Sequence, residues 1–178
     1  MLREKAGRYE FRGRYQESLV ILDSLLSRNP ENFYAMEDKA LVLLRLGRLK
    51  EAAVLAYAAY SRRPDRANRA ALLAAIDYEL ADYREAARFA QISTTEMSKA
   101  QLSNPNDGTV RLTLIAAAAH LHDEAVEKSA LADLAMSVPG LTSLAAIRKW
   151  MYPQAYLYGY EPLIDGLRLA GLPEQDSH

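Results

Sequence analysis

The sequence contains no cysteine and no long apolar segment. Without cysteine, the chain forms no disulfide, thiolate nucleophile or cysteine-ligated metal site. No segment approaches the roughly 18 consecutive apolar residues of a membrane-spanning helix, and MLREKAGRYE at the start lacks the apolar centre of a signal peptide. The formal net charge of −1 argues against a general attraction to nucleic acid or anionic lipid. We therefore expect a cytoplasmic protein that has neither a nucleic-acid partner nor a membrane partner.

Motifs for catalysis or cofactor binding are also absent from the sequence. GRYEFRG and YGYEPLIDG have neither the spacing of a phosphate-binding loop nor a preceding strand. The serines and threonines have no glycine-framed nucleophile motif around them. Glu37 and Asp38 are adjacent on a predicted helix, where we expect two solvated acids instead of an acid–base pair. The sequence thus predicts a protein that is not an enzyme and that has no cofactor.

The one cluster of metal-ligand residue types is HLHDE, from His120 to Glu124. Residues two apart on a helix point about 200° away from each other, so His120 and His122 would not converge on one metal ion. We interpret the segment as a solvated turn between two helices, with no metal bound. A helical metal-dependent enzyme that uses His120 and His122 is the alternative that this cluster leaves open.

The sequence does contain an internal repeat of 34 residues, the distance between Pro30 and Pro64. Small or matched residues recur at this interval in several columns: Ala6, Ala40 and Ala74; Gly13, Gly47 and Ala81; Tyr15, Leu49 and Tyr83; Glu17, Glu51 and Glu85; Ser18, Ala52 and Ala86; and Leu25, Ala59 and Ser93. Agreement among so many columns over three periods indicates a repeat architecture.

Each period has the pattern of two helices joined by a tight turn. In NFYAMEDKALVLLRL, apolar residues recur at helical spacing, and Gly47 follows where the end of a helix favours a left-handed residue. The helical pattern resumes in LKEAAVLAYAAYS until Pro64 ends it. Small side chains such as Ala52 predict close packing between the helices. The sequence therefore predicts an all-α fold built from antiparallel helix pairs.

This pattern resembles the tetratricopeptide repeat (TPR), through the residue columns given above and the prolines that close two periods. The large aromatic residue usual near the start of the first helix is absent, since Leu2, Met36 and Ala70 hold that column. The resemblance implies a right-handed α-solenoid with three regular repeats in residues 1–98.

In the second half, helical segments continue without the strict period. Residues 99–141, which include the turn-rich SNPNDG near their start, predict an irregular fourth repeat. Its second helix is expected to be slightly longer than that of the second repeat, because Pro139 follows Ala125 by 14 positions, whereas Pro64 follows Ala52 by 12. TSLAAIRKWMYP and EPLIDGLRLAGLPE predict two capping helices in residues 142–174, before a tail at 175–178. We expect a single TPR-like domain of about four repeats and this capping pair over residues 1–178.

The segment LIDGLRLAGLPE, with IRKWMYP before it, resembles the C-terminal ends of TPR tails on bacterial class III adenylate cyclases. Similar tails occur on winged-helix transcription regulators. The resemblance implies the regulatory tail of a larger bacterial signalling protein. Met1 lies in the third column of a repeat, which also fits a part of a longer chain. A stand-alone short protein is the alternative.

The TPR resemblance implies a scaffold that binds a peptide or helix of a partner protein in its concave groove. It implies that the groove is lined by Tyr34, Glu37, Leu41, Asn68, Ala71, Ala75 and Tyr78. A clamp for chaperone C-termini is not expected, because Glu4 and Asp38 would repel a terminal carboxylate. The alternative function is a homodimerisation module that organises an attached output domain, either an adenylate cyclase or a winged-helix regulator.

Overall fold

The computed structural model describes residues 2–64, 67–99, 107–151 and 161–175, in which there are ten α-helices and no strand. None of the helices described is both long enough and apolar enough to span a membrane. The helices are α1 (Leu2–Phe11), α2 (Tyr15–Arg28), α3 (Phe33–Arg45), α4 (Leu49–Arg62), α5 (Ala67–Glu79), α6 (Tyr83–Lys99), α7 (Asp107–His120), α8 (Glu124–Ser137), α9 (Leu144–Met151) and α10 (Glu161–Leu169).

The first eight helices form four successive pairs. Within each pair the first helix (α1, α3, α5 or α7) packs on the second (α2, α4, α6 or α8). Each second helix except the last also packs extensively on the first helix of the following pair. Contacts between neighbours alone are the mark of a solenoid. The predicted all-α solenoid of helix pairs is thus confirmed.

The turn inside each pair has the same backbone conformation. One residue with positive φ follows each first helix: Gly13 at 70°, Gly47 at 70°, Ala81 at 60° and His122 at 55°. The amide of this residue donates to the carbonyl three residues earlier, and the next amide donates to the carbonyl five residues before it, as in Gly47 to Leu44 (3.0 Å) and Arg48 to Leu43 (2.9 Å). This is the Schellman arrangement that ends helices. The turn residues therefore define a common register for all four pairs.

The irregular spacing of the fourth pair arises before α7. Position 98, which corresponds to Pro30 and Pro64, is a serine, so nothing stops α6 there and the helix has 17 residues where α4 has 14. The expectation of a longer second helix in the fourth repeat is wrong, because α8 has 14 residues, as α2 does. Val138 ends α8 with φ −136° and ψ 74°, outside the helical region that the following Pro139 disfavours.

A column of small residues lies where the two helices of each of the first three pairs cross. Ser18, Ala52 and Ala86 are all fully buried, at 0% exposure. The Ser18 hydroxyl donates to the carbonyl of Ala6 at 3.0 Å, so its polar atom is satisfied inside the seam. The alanine-rich α4 is thus a closely packed helix, and close approach of the backbones replaces bulk in this part of the core.

Helix α7 lies at the centre of the C-terminal half. Every residue from Val110 to Ala119 is buried, and α5, α6, α8 and α10 all pack on this helix. Apart from Arg111 and Thr113, the buried residues of this span are apolar. A helix that is covered on all sides carries apolar residues all round, which explains the run of four alanines at 116–119. The helix begins at Asp107, so it includes Asp107 and Gly108, the last two residues of the turn-rich segment SNPNDG.

Helices α9 and α10 follow the fourth pair and are joined through the chain after α10. The amides of Leu144 and Ala145 at the start of α9 donate to the carbonyls of Pro173 and Glu174, at 2.9 and 3.1 Å. These bonds satisfy amides that a helix N-terminus leaves without a partner inside the helix. The Trp150 indole of α9 packs against Gly108 of α7. A Cβ built on Gly108 would lie 2.6 Å from a ring carbon of Trp150, so there is no room for a side chain at position 108. The chain after α10 therefore returns to hold α9 in place.

Candidate functional site

The shared turn conformation identifies equivalent residues on the four first helices. Gly7, Leu41, Ala75 and Ala116 each lie six residues before the positive-φ residue of their own turn. Glu37 and Ala71 lie ten residues before it, and Tyr34 and Asn68 thirteen. Spacings of three and four place these positions on one side of each helix. We call this side of α1, α3, α5 and α7 the groove face.

The structure leaves most of the predicted groove residues accessible. Tyr34, Glu37, Leu41, Ala71 and Ala75 are half-buried, and Asn68 is exposed. Tyr78 differs, since only 4% of it is exposed and its hydroxyl is hydrogen-bonded inside the protein. Tyr78 is therefore a packing residue in this structure, whereas the sequence led us to expect it in an open groove.

The N-terminal part of the groove face combines an aromatic ring with ion pairs. The guanidinium carbons of Arg3 and Arg69 lie 4.8 and 5.7 Å from the ring centre of Tyr34. Nε of Arg69 lies 3.3 Å from a carboxylate oxygen of Glu37, and Arg3 binds both oxygens of Asp38 at 2.5 and 2.9 Å. Glu37 and Asp38 are thus held by arginines of neighbouring first helices, which corrects the expectation of two solvated acids.

A buried ion pair joins α1 to α3 near the turns. Nη1 of Arg45 lies 2.7 Å from a carboxylate oxygen of Glu10, and both side chains are largely buried. Burial raises the pKa of Glu10, and the positive charge of Arg45 opposes that rise. The pair fixes the spacing of the first two repeats, so the groove face has a defined shape at this end.

Helix α10 covers the groove face at the fourth repeat. Gly166 of α10 lies directly on Ala116, so that an ideal Cβ on the glycine would be 2.7 Å from Cβ of Ala116 and 3.3 Å from its Cα. The hydroxyl of Tyr78 donates to the carbonyl of Pro162 at 3.0 Å, which ties α10 to α5 as well. The position that Leu41 and Ala75 leave half open is therefore filled at Ala116 by a helix of the same chain.

The two histidines of HLHDE do not form a cluster. The His120 ring stacks on the Tyr83 ring, with centroids 3.9 Å apart and planes 4° apart, and burial lowers the pKa of His120. His122 is the positive-φ residue of the turn. In the part of the chain that the structure describes, no three His, Asp or Glu side chains are placed to hold a metal ion. His120 is thus a half-buried packing residue, not the solvated turn residue that we expected.

The contact between α10 and the groove face is what the sequence analysis missed. One signal for it was present, because Gly166 interrupts an amphipathic helix between Ile164 and Leu167. A glycine inside a helix costs about 1 kcal/mol relative to alanine, so its presence there calls for a packing reason. The sequence could not give the surface on which the glycine packs.

Comparisons with known proteins relate the chain to others by fold alone. No family model and no curated protein sequence matches it. MamA, described as MSR-1 C2, is 17% identical with a TM-score of 0.65, and the match covers 96% of this chain and 92% of MamA. YrrB, described as a TPR protein with an unusual peptide-binding site, is 15% identical with a TM-score of 0.68, covering 95% of this chain and 82% of YrrB. PilF of Pseudomonas aeruginosa is 18% identical with a TM-score of 0.68, covering 99% of this chain and 76% of PilF. The chain therefore has the fold of TPR proteins, a helical solenoid of repeated helix pairs.

Proposed function

We propose that this chain is a non-catalytic interaction scaffold whose groove face binds a peptide or helix of a partner protein. The observation that carries the proposal is α10 itself. Its buried residues Leu163, Ile164 and Leu167 pack along the array, and its glycine lies against a groove-face position of α7. A surface that accepts a helix of its own chain has the shape and the apolar character to accept another.

The first three repeats offer the accessible continuation of this surface. Leu41 and Ala75 are half-buried, and a Cβ built on Gly7 meets no other atom within 4 Å. The likeness to YrrB, whose structure is described as having a peptide-binding site, supports the same use of the fold. We propose that a partner contacts Tyr34, Glu37, Leu41, Asn68, Ala71 and Ala75.

The chemistry of this surface favours an amphipathic partner. Leu41, Ala71 and Ala75 present apolar area, whereas the half-buried carboxylate of Glu37, paired with the buried Arg69, lies at one side of it. A segment with apolar residues on one side and mixed charges at its edge would satisfy both parts. Because the charges are already paired, affinity depends mainly on apolar contact, and charge serves to set orientation.

A matched pair of double variants tests this proposal. Leu41→Lys with Ala75→Lys places two charges on the groove face, whereas Val20→Lys with Val54→Lys places two at 70%-exposed positions of α2 and α4. Each tagged protein is expressed in and purified from the organism that encodes it, and the proteins that co-purify are quantified by mass spectrometry. We expect one partner to be lost from the groove variant and retained by the other. Equal recovery with both variants would contradict the proposal.

The finer predictions from the sequence extend this proposal. We propose a bacterial, cytoplasmic protein, and the regulatory tail of an adenylate cyclase or winged-helix regulator is the context that its C-terminal segment suggests. Self-association is the alternative use of the array. Light scattering on the purified chain at micromolar concentration tests it, because a monomer there would argue strongly against a homodimer.

A further inference from the structure

Helix α10 does not pack as the first helix of a fifth repeat would. Helices α3, α5 and α7 each pack extensively on the second helix before them, but α10 packs on α7 without comparable contact to α8 among the described residues. It also reaches Tyr78 of α5, one repeat further back. The helix therefore lies across the groove face and does not extend the array.

The contact has the features of helix recognition. Three apolar residues, Leu163, Ile164 and Leu167, are at most 4% exposed, while Asp165 and Arg168 on the other side of α10 are exposed. The pairing of Gly166 with Ala116 lets the two helices approach closely, and Tyr78 adds one directed hydrogen bond to the carbonyl of Pro162. Close packing and one satisfied polar contact fix both the position and the register of the bound helix.

The same contact is selective. A side chain at position 166 would collide with the Tyr78 hydroxyl and approach Cβ of Ala116 to 2.7 Å, a distance that requires a neighbour to move. Both neighbours are buried and enclosed, at 4% and 0% exposure, so neither moves cheaply. The surface formed by Tyr78 and Ala116 therefore accepts glycine at the crossing point and disfavours even alanine.

From this geometry we infer that α10 is an internal ligand, a segment that occupies the chain's own binding surface. The external partner that competes for this surface is an amphipathic helix with glycine between buried aliphatic residues, as in Leu163 to Leu167. The inference rests on the proposed function, and it adds the chemistry of the partner and the element that blocks its access. Because α10 is tethered, it competes at a high effective concentration and keeps the fourth repeat closed.

The test uses a fluorescent synthetic peptide of residues 161–175 and the full-length chain. In the wild-type chain the surface is occupied, so we expect weak binding of the peptide by fluorescence anisotropy. Gly166→Ala in the chain weakens its own α10, and we expect the peptide to bind this variant about tenfold more tightly than it binds wild type. The same peptide carrying Gly166→Ala is expected to bind neither chain.

Two controls separate recognition from general loosening. Val54→Ala changes a 70%-exposed position of α4 outside the groove face, so we expect it to leave peptide binding unchanged. Tyr78→Phe keeps the ring but removes the same hydrogen bond to Pro162 from both α10 and the peptide, so we expect peptide affinity to stay close to that of wild type, whereas general loosening would raise it. Circular dichroism is expected to show the same helix content in all these chains.

Specific outcomes would overturn the inference. The first is a peptide that binds the Gly166→Ala chain no better than wild type, and the second is unfolding of the whole chain in that variant. In the second case α10 would be an integral part of the fold. Either result leaves the test with the paired lysine variants intact, so failure of this inference is distinguishable from failure of the proposed function.

Discussion

Ala52→Leu is the substitution that tests the packing seam of the repeats. Ala52 is fully buried where α4 crosses α3, in the column that Ser18 and Ala86 share. A leucine adds three carbon atoms at a position with no exposed surface, so the helices must separate or the side chain must adopt a strained rotamer. Overpacking of this kind costs about 1–3 kcal/mol.

The expected shift in the melting temperature follows from the size of the chain. For 178 residues, an unfolding entropy of about 2.1 cal/mol/K per residue converts 1–3 kcal/mol into a decrease of about 3–8 °C. Thermal unfolding followed by circular dichroism at 222 nm measures this directly. Urea unfolding supplies the free energy independently, provided that the slope with denaturant stays unchanged.

Val54→Leu is the matched control, because Val54 lies two residues away on the same helix and is 70% exposed. Its free energy of unfolding is expected to change by no more than about 0.5 kcal/mol. An unchanged melting temperature for Ala52→Leu would refute the seam. Equal shifts for both variants would refute it too, since they would show a response to leucine in α4 at any position.

Two further predictions concern the end of α5. Ala81→Gly is expected to raise the free energy of unfolding by about 0.5–1 kcal/mol, because φ at Ala81 is +60° and glycine adopts positive φ without strain. Ala71→Gly inside α5 is the control and is expected to lower the free energy of unfolding by about 1 kcal/mol. Urea unfolding measures both, and opposite signs distinguish relief of turn strain from a general effect of adding glycine. Burial raises the pKa of Glu79 from 4.5 to about 7, so its charged form is disfavoured in the fold and stability falls as pH rises through this range. Glu79→Gln is expected to reduce that fall. Allowing for partial solvent screening, the variant gains roughly 1 kcal/mol in free energy of unfolding at pH 8 and little at pH 4. A gain in stability that is the same at both pH values would contradict this.

The fold of the first three repeats could be predicted because its causes are local. Small residues in the seam, a left-handed turn residue and the prolines after α2 and α4 each act within one period of the sequence. Ala81 shows how far this extends, since its column predicted a turn although alanine adopts positive φ only at a cost. The same register then located His122, which the sequence alone did not relate to the other turns.

The candidate site was less predictable because it depends on contacts between distant segments. Tyr78 has the position of a groove residue, and only the placement of α10, 84 residues further along at Pro162, makes it a packing residue. The pairing of Glu37 with Arg69 likewise depends on how closely adjacent repeats approach each other. Repeat periodicity gives the face of a helix but not what covers that face.

The central claim, that α10 lies on the groove face, is tested most directly by photo-crosslinking within the chain. p-Azidophenylalanine in place of Tyr78 puts the reactive group where the hydroxyl meets Pro162 and Gly166. After irradiation and digestion, mass spectrometry is expected to find the crosslink in residues 161–169, and the same probe at Tyr34 is expected to give no crosslink there. Crosslinks from position 78 that miss α10, or equal crosslinking from both positions, would contradict the account.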